Sequence, residues 1–517
     1  MFMKSLMKYP MRLLNSYLSV TYTLRVQAGM RLSMTNSENR NSLLRILLPT
    51  LMGGFIIAMD KLILNTSIST LPHTLNTILG MLASLLLLNP ILYILYLLAK
   101  ARARAKKIEE EMKYFIISES VIASASPNII DDLTSLGNLH EIFNQLSKES
   151  TLLRRLRRLM TTSEVVHLYS KWIKSKYVGN LLSDFVFAQS LGIVKAWLRE
   201  KGKELLEELR VDSLNRVKFR ATISVLFAVL LGYVPPIILA LSALMGSGVV
   251  TKALTMTLVL CPVFFWVTPR TPKHFEIHFR ELPRKCLIIV TAVIVILISK
   301  CVTAVFEQNS EIHALFLYLI LLGITLTALG LFQVSSMINA VHEARQLSNV
   351  LLTIIEAPLS VGNALAIVKE ALNRTNYKVF KELSSKINLL SAYPGILSNA
   401  RLWITKFTVY TIMKGLMYGT LNRENLMKLR NLVTEMLREF KLSLSTNAIV
   451  AMLALALPLI LNYVGTLGSA SVVPLTTLYI VISSLVYSSY ASYVTFGKIS
   501  NTLLPGVVCI ELAFLLR

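Results

Sequence analysis

The chain has 517 residues, 54% of them hydrophobic, and a formal net charge of +24. Its hydrophobic residues are gathered into runs instead of being spread at helical or strand spacing, which excludes a large soluble protein and reads as a polytopic membrane protein. In a soluble chain such a charge would suggest nucleic acid, but in a membrane protein Lys and Arg collect in cytoplasmic loops, so no nucleic-acid partner is expected.

Residues 1–42 carry Lys4, Lys8 and Arg12 among apolar residues, with no compact apolar core followed by a small-residue cleavage site. They read as a cytoplasmic or interfacial amphipathic segment and not as a removed signal peptide. A transmembrane helix needs about 20 mostly apolar residues. Nine candidates follow, at 43–60, 75–98, 221–244, 250–268, 286–306, 313–332, 447–467, 472–493 and 500–516. Asn89-Pro90, Pro235-Pro236 and Pro458 predict breaks or kinks in three of them. The expected fold class is an all-α integral membrane protein. It comprises a hairpin over 43–98, four spans over 221–332 around a basic loop at 269–285, and three spans over 447–517.

Charge sets the predicted orientation. With the N-terminus inside, nearly all Lys and Arg fall in 1–42, 99–220, 269–285, 333–446 and 494–499, whereas the opposite loops offer only Lys61, Lys252 and Lys300. Adding or dropping one span would put a long basic block outside. The expected location is therefore the cell membrane, multi-pass, with a cytoplasmic N-terminus. Cys261, Cys286, Cys301 and Cys509 form no CxxC pair and read as small buried hydrophobes.

The blocks 99–220 and 333–446 have helical periodicity and no strand-like alternation. In the first, Ile142, Leu146, Leu153, Leu156 and Met160 form one stripe, and Pro127 marks a break. The second runs from Glu343 through a break at Pro358 to Leu421-Asn422-Arg423-Glu424 and the seventh span. Setting Glu111 on Glu343 without gaps brings Ala125 onto Ala357 and Leu133 onto Leu365, which predicts a duplicated helical module. The second core should contain Leu365, Ile367 and Leu372. The apolar stretch Trp403–Val409 is not a tenth span, because Arg401, Lys406 and Lys414 crowd it.

Few residues suggest chemistry. There is no GxxxxGK[ST] loop to cradle phosphates, and Gly53-Gly54 reads as a close helix contact. His274, Glu276 and His278 fall within one helical turn, but a catalytic zinc normally takes three protein ligands from a fuller set, so a solvated loop is the reading. Among charges near spans, Asp60, Lys61 and Lys300 lie at ends where they can pair or reach water; Glu511 lies deeper. No catalytic constellation, metal site or cofactor is expected, and the chain does not read as an enzyme.

Basic clusters are the sharper signal. At roughly 100° per residue, Arg154, Arg155, Arg157 and Arg158 occupy one arc, with Leu152, Leu153, Leu156, Leu159 and Met160 opposite. Four arginines with no acid among them favour an acidic partner or an anionic surface. Arg102, Arg104, Lys106 and Lys107 directly follow a span and are assigned to lipid headgroups. Arg280, Arg284 and Lys285 form a third cluster, facing the same partner or the lipid.

Two helical modules, each with a small-residue break (Ala125-Ser126-Pro127 and Ala357-Pro358-Leu359), each run into a Pro-bearing span (Tyr233-Val234-Pro235-Pro236 and Leu457-Pro458-Leu459). This layout resembles the type II secretion system F family. The extra spans before the first module and between the two resemble its archaeal branch, the platform proteins of archaella and type IV pili. The resemblance covers nearly all of the chain from about residue 43; Ala125 and Ala357 stand where family members often carry Gly. It implies a non-enzymatic scaffold, dimeric, that engages a hexameric cytoplasmic ATPase and handles pilin-like subunits. On this view Arg154, Arg155, Arg157 and Arg158, with Arg280, Arg284 and Lys285, would dock the ATPase. The alternative reading is a transporter whose Pro-broken spans line a substrate path.

Overall fold

A computed structural model describes residues 20–27 (except 22), 89–122, 128–232, 261–269, 312–358, 363–386 (except 376), 400–465 (except 422), 473–496 and 501–515, with isolated positions elsewhere. Every regular element among them is helical. The chain divides into two compact units, one of residues 1–120 and 126–200, the other of 121–125 and 201–517.

The first unit is organised by α1, Asn89–Ile122, described over 34 residues. Its first turns expose Ile91, Leu95 and Tyr96; from Ala101 on, Ala101, Ala105, Ile108, Met112 and Phe115 are buried at alternating steps of four and three. Helix α2, Ile129–Ser135, starts with Asp131 and Asp132 in its first turn, acids that suit the positive end of a helix. Helices α3, Asn144–Arg157, α4, Thr162–Trp172, and α5, Lys176–Ser190, complete the bundle. Helix α4 begins with a capping box in which Thr161 and Glu164 satisfy each other's end of the first turn.

Helix α6 covers Val194–Gly232. In the second unit, α7, Ile312–Glu356, spans 45 residues. It is followed by α8, Ala364–Asn373, α9, Lys378–Lys386, and α10, Trp403–Met417. Helix α10 is buried from Trp403 to Gly415 on all sides and has 15 residues, too short for a span of about 20. Helix α11, Arg423–Gly465, continues through Pro458, and α12, Val473–Phe496, and α13, Leu503–Leu515, follow.

Helices α5 and α10, which precede the two long helices α6 and α11, end the same way. After α5 the N–H of Ile193 reaches the carbonyl of Ala188 and that of Gly192 reaches Gln189; after α10, Thr420 reaches Gly415 and Gly419 reaches Leu416. This double closure requires a left-handed residue, supplied by Gly192 (φ 72°) and Gly419 (φ 63°), the positive-φ glycines among the described residues.

The second unit's main core joins Phe227 and Leu231 of α6, Cys261 of the helical segment 261–267, and faces of α11, α12 and α13. Helices α7 and α13 touch backbone to backbone. A Cβ on Gly330 would lie 2.3 Å from the Leu503 nitrogen, and one on Gly506 2.4 Å from the Thr327 nitrogen. Glycine at those positions is what permits the approach.

Among the described residues, one helix is long and apolar enough to cross a membrane, over Phe316–Glu356, and two shorter apolar helices cover Asn447–Tyr463 and Leu503–Leu515. The window that qualifies in the first is only 28% buried. A core helix of a soluble protein would be covered, yet Leu317, Leu321, Ile324 and Leu331 face outward. The predicted spans at 43–60 and 286–306, and most of 75–98 and 250–268, lie outside the described residues.

Two expectations about the cores are corrected. In α3, Leu146 and Leu153 are buried, but Leu156 is only half-buried, Leu159 is 81% exposed and Met160 36% exposed. The helix ends at Arg157, so the last two residues sit on the turn into α4, where helical phase no longer applies. In α8 the buried row is Ala364, Val368, Ala371 and Leu372; Leu365 and Ile367 lie beside it, half-buried.

Candidate functional site

The arginines of α3 do not form one uniform stripe. Arg154 donates to the carbonyl of Thr134 through Nη2 (2.8 Å) and Nε (3.3 Å), which satisfies an acceptor in the last turn of α2. Arg157 donates to Asp131 at 3.2 Å across a pair exposed on both sides. The acid missing from the local sequence thus comes from a neighbouring helix. Arg155 and Arg158 are exposed and make no hydrogen bond or ion pair with the described residues. They flank the exposed Leu159 and Met160, so the free surface here is two guanidinium groups beside an apolar tip.

The cluster at the start of the first module also divides. Arg102, Lys106 and Lys107 are exposed. Arg104, assigned above to lipid headgroups, is instead engaged within the protein. Its Nη2 reaches both oxygens of Glu149 at 2.7 Å and its Nε reaches Oε1 at 3.0 Å. Its Nη1 donates to the carbonyls of Val26 (2.8 Å) and Gln27 (2.9 Å) in the helical segment 20–27. All five guanidinium hydrogens are thereby used, with none left for a phosphate. Alternation along the helix explains the split, because Arg104 lies beside the buried Ala101, Ala105 and Ile108, and its neighbours point away.

Two buried glutamates do similar work in the two modules. Helix α3 has Phe143 at its N-cap, a side chain that can accept nothing; Glu111 of α1, 4% exposed, accepts the first-turn N–H groups of Gln145 (2.9 Å) and Leu146 (2.8 Å) instead. Helix α10 has Leu402 at its N-cap; Glu343 of α7, fully buried, accepts from the N–H of Arg401 (3.1 Å) and Leu402 (3.2 Å). Glu343 also accepts from the Tyr377 hydroxyl at 2.9 Å. Burial, and then the Glu343 charge, push the Tyr377 phenol well above its ordinary range. The residue 34 places after the glutamate donates to it in each case, Gln145 by its backbone and Tyr377 by its side chain. Sequence reading aligned these two glutamates without assigning them a role; the signal was an acid on each module's opening helix ahead of a helix with an apolar N-cap.

In the second unit polar groups of α6, the segment 261–269 and α11 reach the C-terminal part of α12. Arg220 of α6, 4% exposed, donates to the Tyr493 carbonyl at 3.0 Å, and its guanidinium lies 5.6 Å from the centre of the Tyr493 ring. The Thr268 hydroxyl meets the Tyr490 hydroxyl at 2.8 Å, and Asn447 donates to the Thr495 carbonyl at 3.5 Å. Thr502 closes onto the Leu326 carbonyl at 2.7 Å. No sequence signal marked Arg220, since a basic residue before an apolar run is ordinary.

Arg280, Arg284 and Lys285, with His274, Glu276 and His278, lie outside the described residues, as do Asp60, Lys61 and Lys300. Glu511 lies on α13. Among the described residues no group of three His, Cys, Asp or Glu is placed to hold a metal. No protein family, curated protein or solved structure matches this chain.

Proposed function

We propose that this chain is a multi-pass platform protein of the cell membrane that couples a hexameric cytoplasmic ATPase to pilin-like subunits during assembly of an archaeal type IV pilus-like filament, archaellum or pilus. It works as a non-enzymatic scaffold, as a homodimer, with its N-terminus and both helical modules in the cytoplasm. The observation that carries this reading is the shared exit of the modules: a glycine-closed helix, α5 or α10, followed at once by a long helix, α6 or α11, that begins polar and becomes apolar.

The duplication is supported further by element order. Helices start at 129, 144, 162, 176 and 194 in one block; in the other the described helices start at 364, 378, 403 and 423, with 387–399 outside the described residues, so the first two and last two of each block correspond in order. The paired glutamates add a shared polar device. The nine-span topology is supported by polar contacts in the second unit: Arg220, Thr268, Asn447, Tyr493 and Thr502 all fall at span ends that the charge rule assigns to the cytoplasmic side, and they are joined by direct contacts or lie on the same joined helices. The outward apolar face of α7 fits lipid.

Docking of the ATPase is assigned to Arg155 and Arg158 with the apolar tip at Leu159, supplemented by Arg280, Arg284 and Lys285; Arg154 and Arg157 brace α2. Headgroup contact is assigned to Arg102, Lys106 and Lys107. The test is to replace Arg155 and Arg158 with Glu in the full chain. Membrane insertion should be retained, while recruitment of the ATPase to membranes and filament assembly should be lost. Binding by the unmutated chain should weaken as salt approaches about 1 M, where the Debye length is about 3 Å. Normal recruitment and normal filaments in the double variant would remove this surface from the mechanism.

A further inference from the structure

The two glycine-closed turns that precede α6 and α11 share a feature beyond their backbone. In each, the helix C-cap directly before the left-handed glycine is bulky and turned outward: Leu191 (55% exposed) before Gly192, and Tyr418 (49%) before Gly419. Each has a second exposed side chain beside it. Phe187 (65%) lies four residues before Leu191 on the same face of α5, and Met417 (62%) directly precedes Tyr418. Neither turn needs these side chains for its own closure, which backbone N–H groups and glycine supply. One exposed apolar residue is ordinary, but a pair at the corresponding turn of both modules marks a contact surface.

Charge indicates the partner. Lys195 is exposed just past the first turn. A Cβ on Gly179 of α5 would lie 3.2 Å from the Ser170 Cβ of α4, so the antiparallel register brings Phe187 level with Thr162, beside the exposed Arg158, Leu159 and Met160. Of the acids at this end, Glu164 is held by Thr161, and Asp184 lies a turn before Phe187. At the second turn the Lys414 ammonium stands 5.7 Å from the centre of the Tyr418 ring, Arg423 is exposed, and Glu424 pairs with Lys428 at 3.0 Å. Apolar side chains edged by cations match an apolar surface edged by carboxylates. An anionic bilayer has similar chemistry, but α11 holds the second turn away from one. Its described exposed side chains from Asn431 to Lys441 are all polar, and its outward face turns apolar only near Ile449, roughly 40 Å along the helix from Arg423 at about 1.5 Å per residue.

We propose that the Leu191 and Tyr418 turns are two copies of one docking element, each taking an acid-edged apolar surface of a cytoplasmic protein that offers that surface more than once. The inference rests on the docking reading above, in which a hexameric ATPase supplies the repeated surface, and adds to the arginines of α3 these two turns.

The experiment places the full chain in phosphatidylcholine nanodiscs, with empty nanodiscs as the blank. The probes are a synthetic helical peptide whose leucine stripe is flanked by glutamates, the same peptide with lysines, and phosphatidylglycerol vesicles; the assembly ATPase is tested alongside. Two glutamate peptides should bind each unmutated chain, more weakly as salt rises, and the lysine peptide should not bind. Phe187→Ser with Leu191→Ser should weaken one site by about tenfold or more, and Met417→Ser with Tyr418→Ser the other, while Tyr418→Phe keeps its site. All four positions are exposed, so the unfolding temperature should not move. Each pair should also weaken ATPase recruitment with Arg155 and Arg158 intact. Unchanged peptide binding in the quadruple variant would overturn the proposal, as would equal binding of the lysine peptide. Capture by phosphatidylglycerol vesicles that the quadruple variant loses would assign the turns to the bilayer and overturn it too, and loss of one site only would overturn the pairing. An ATPase that ignores the unmutated chain while both peptides bind would remove the ATPase reading and support the turns.

Discussion

Glu111 and Glu343 show how one carboxylate can do the work that a helix's own first residues decline. Glu111 stands in for the N-cap that Phe143 cannot provide, whereas Glu343 holds the N–H groups of Arg401 and Leu402 just ahead of α10; each is buried, so removing it strands two backbone N–H groups away from water. Glu111→Ala should therefore cost about 2–3 kcal/mol, measured by thermal or chemical unfolding in detergent, with Glu111→Gln costing less because an amide oxygen still accepts. Arg104 makes the complementary point about position. Its ion pair with Glu149 is closed off, with side chains 15% and 4% exposed. Breaking one side of such a pair leaves a buried charge alone, so Arg104→Gln should destabilise by about 3 kcal/mol or more. Arg102→Gln, two residues away and exposed, should stay within about 0.5 kcal/mol and alter only association with anionic vesicles.

At the scale of elements, close approach and helix starts carry the consequences. The α7–α13 crossing tolerates no Cβ at Gly330 or Gly506, where the obstacle is the backbone of the opposite helix. Gly330→Ala should push the helices apart and cost about 1–3 kcal/mol, visible as a lowered unfolding temperature. Gly192→Ala meets nothing within 4 Å, so its cost is the left-handed backbone alone, about 1 kcal/mol. Helix α4 adds a pH dependence. Hydrogen bonds from the Thr161 backbone and then its hydroxyl hold the Glu164 carboxyl below its ordinary 4.5, with burial opposing weakly. A carboxyl lowered by folding adds stability above its unfolded value, and that stability is lost as pH falls through the folded one. The difference in unfolding midpoint between the unmutated chain and Glu164→Gln should therefore be present near neutrality and vanish as pH drops below 4.5.

At the scale of the whole molecule, the testable statement is topology. If the basic blocks are cytoplasmic and nine spans intervene, reporters fused after Lys61, within 120–200, within 360–430 and after Arg517 should read outside, inside, inside, outside. An outside signal from either long block would break both the span count and the platform reading.

Helicity of the two basic blocks, the breaks near Pro127 and Pro358 and the fact that each block runs into an apolar helix were legible in the sequence. These follow from local periodicity, ring constraints and hydropathy, which act over a few residues whatever the rest of the chain does. Tertiary structure alone decided the roles within those elements. Arg104 and Arg102 are the same residue type two places apart, and only packing of α1 turns one inward to Glu149 and the other out. Leu159 belongs to the apolar stripe by spacing, but α3 stops two residues earlier and leaves it in solvent. Gly323, Gly330 and Gly506 become a contact only when α7 meets α13, and Arg220 reaches the Tyr493 carbonyl only when α12 covers it. Burial and partnership are properties of distant segments brought together, and a one-dimensional pattern cannot state them because it holds no record of which faces meet.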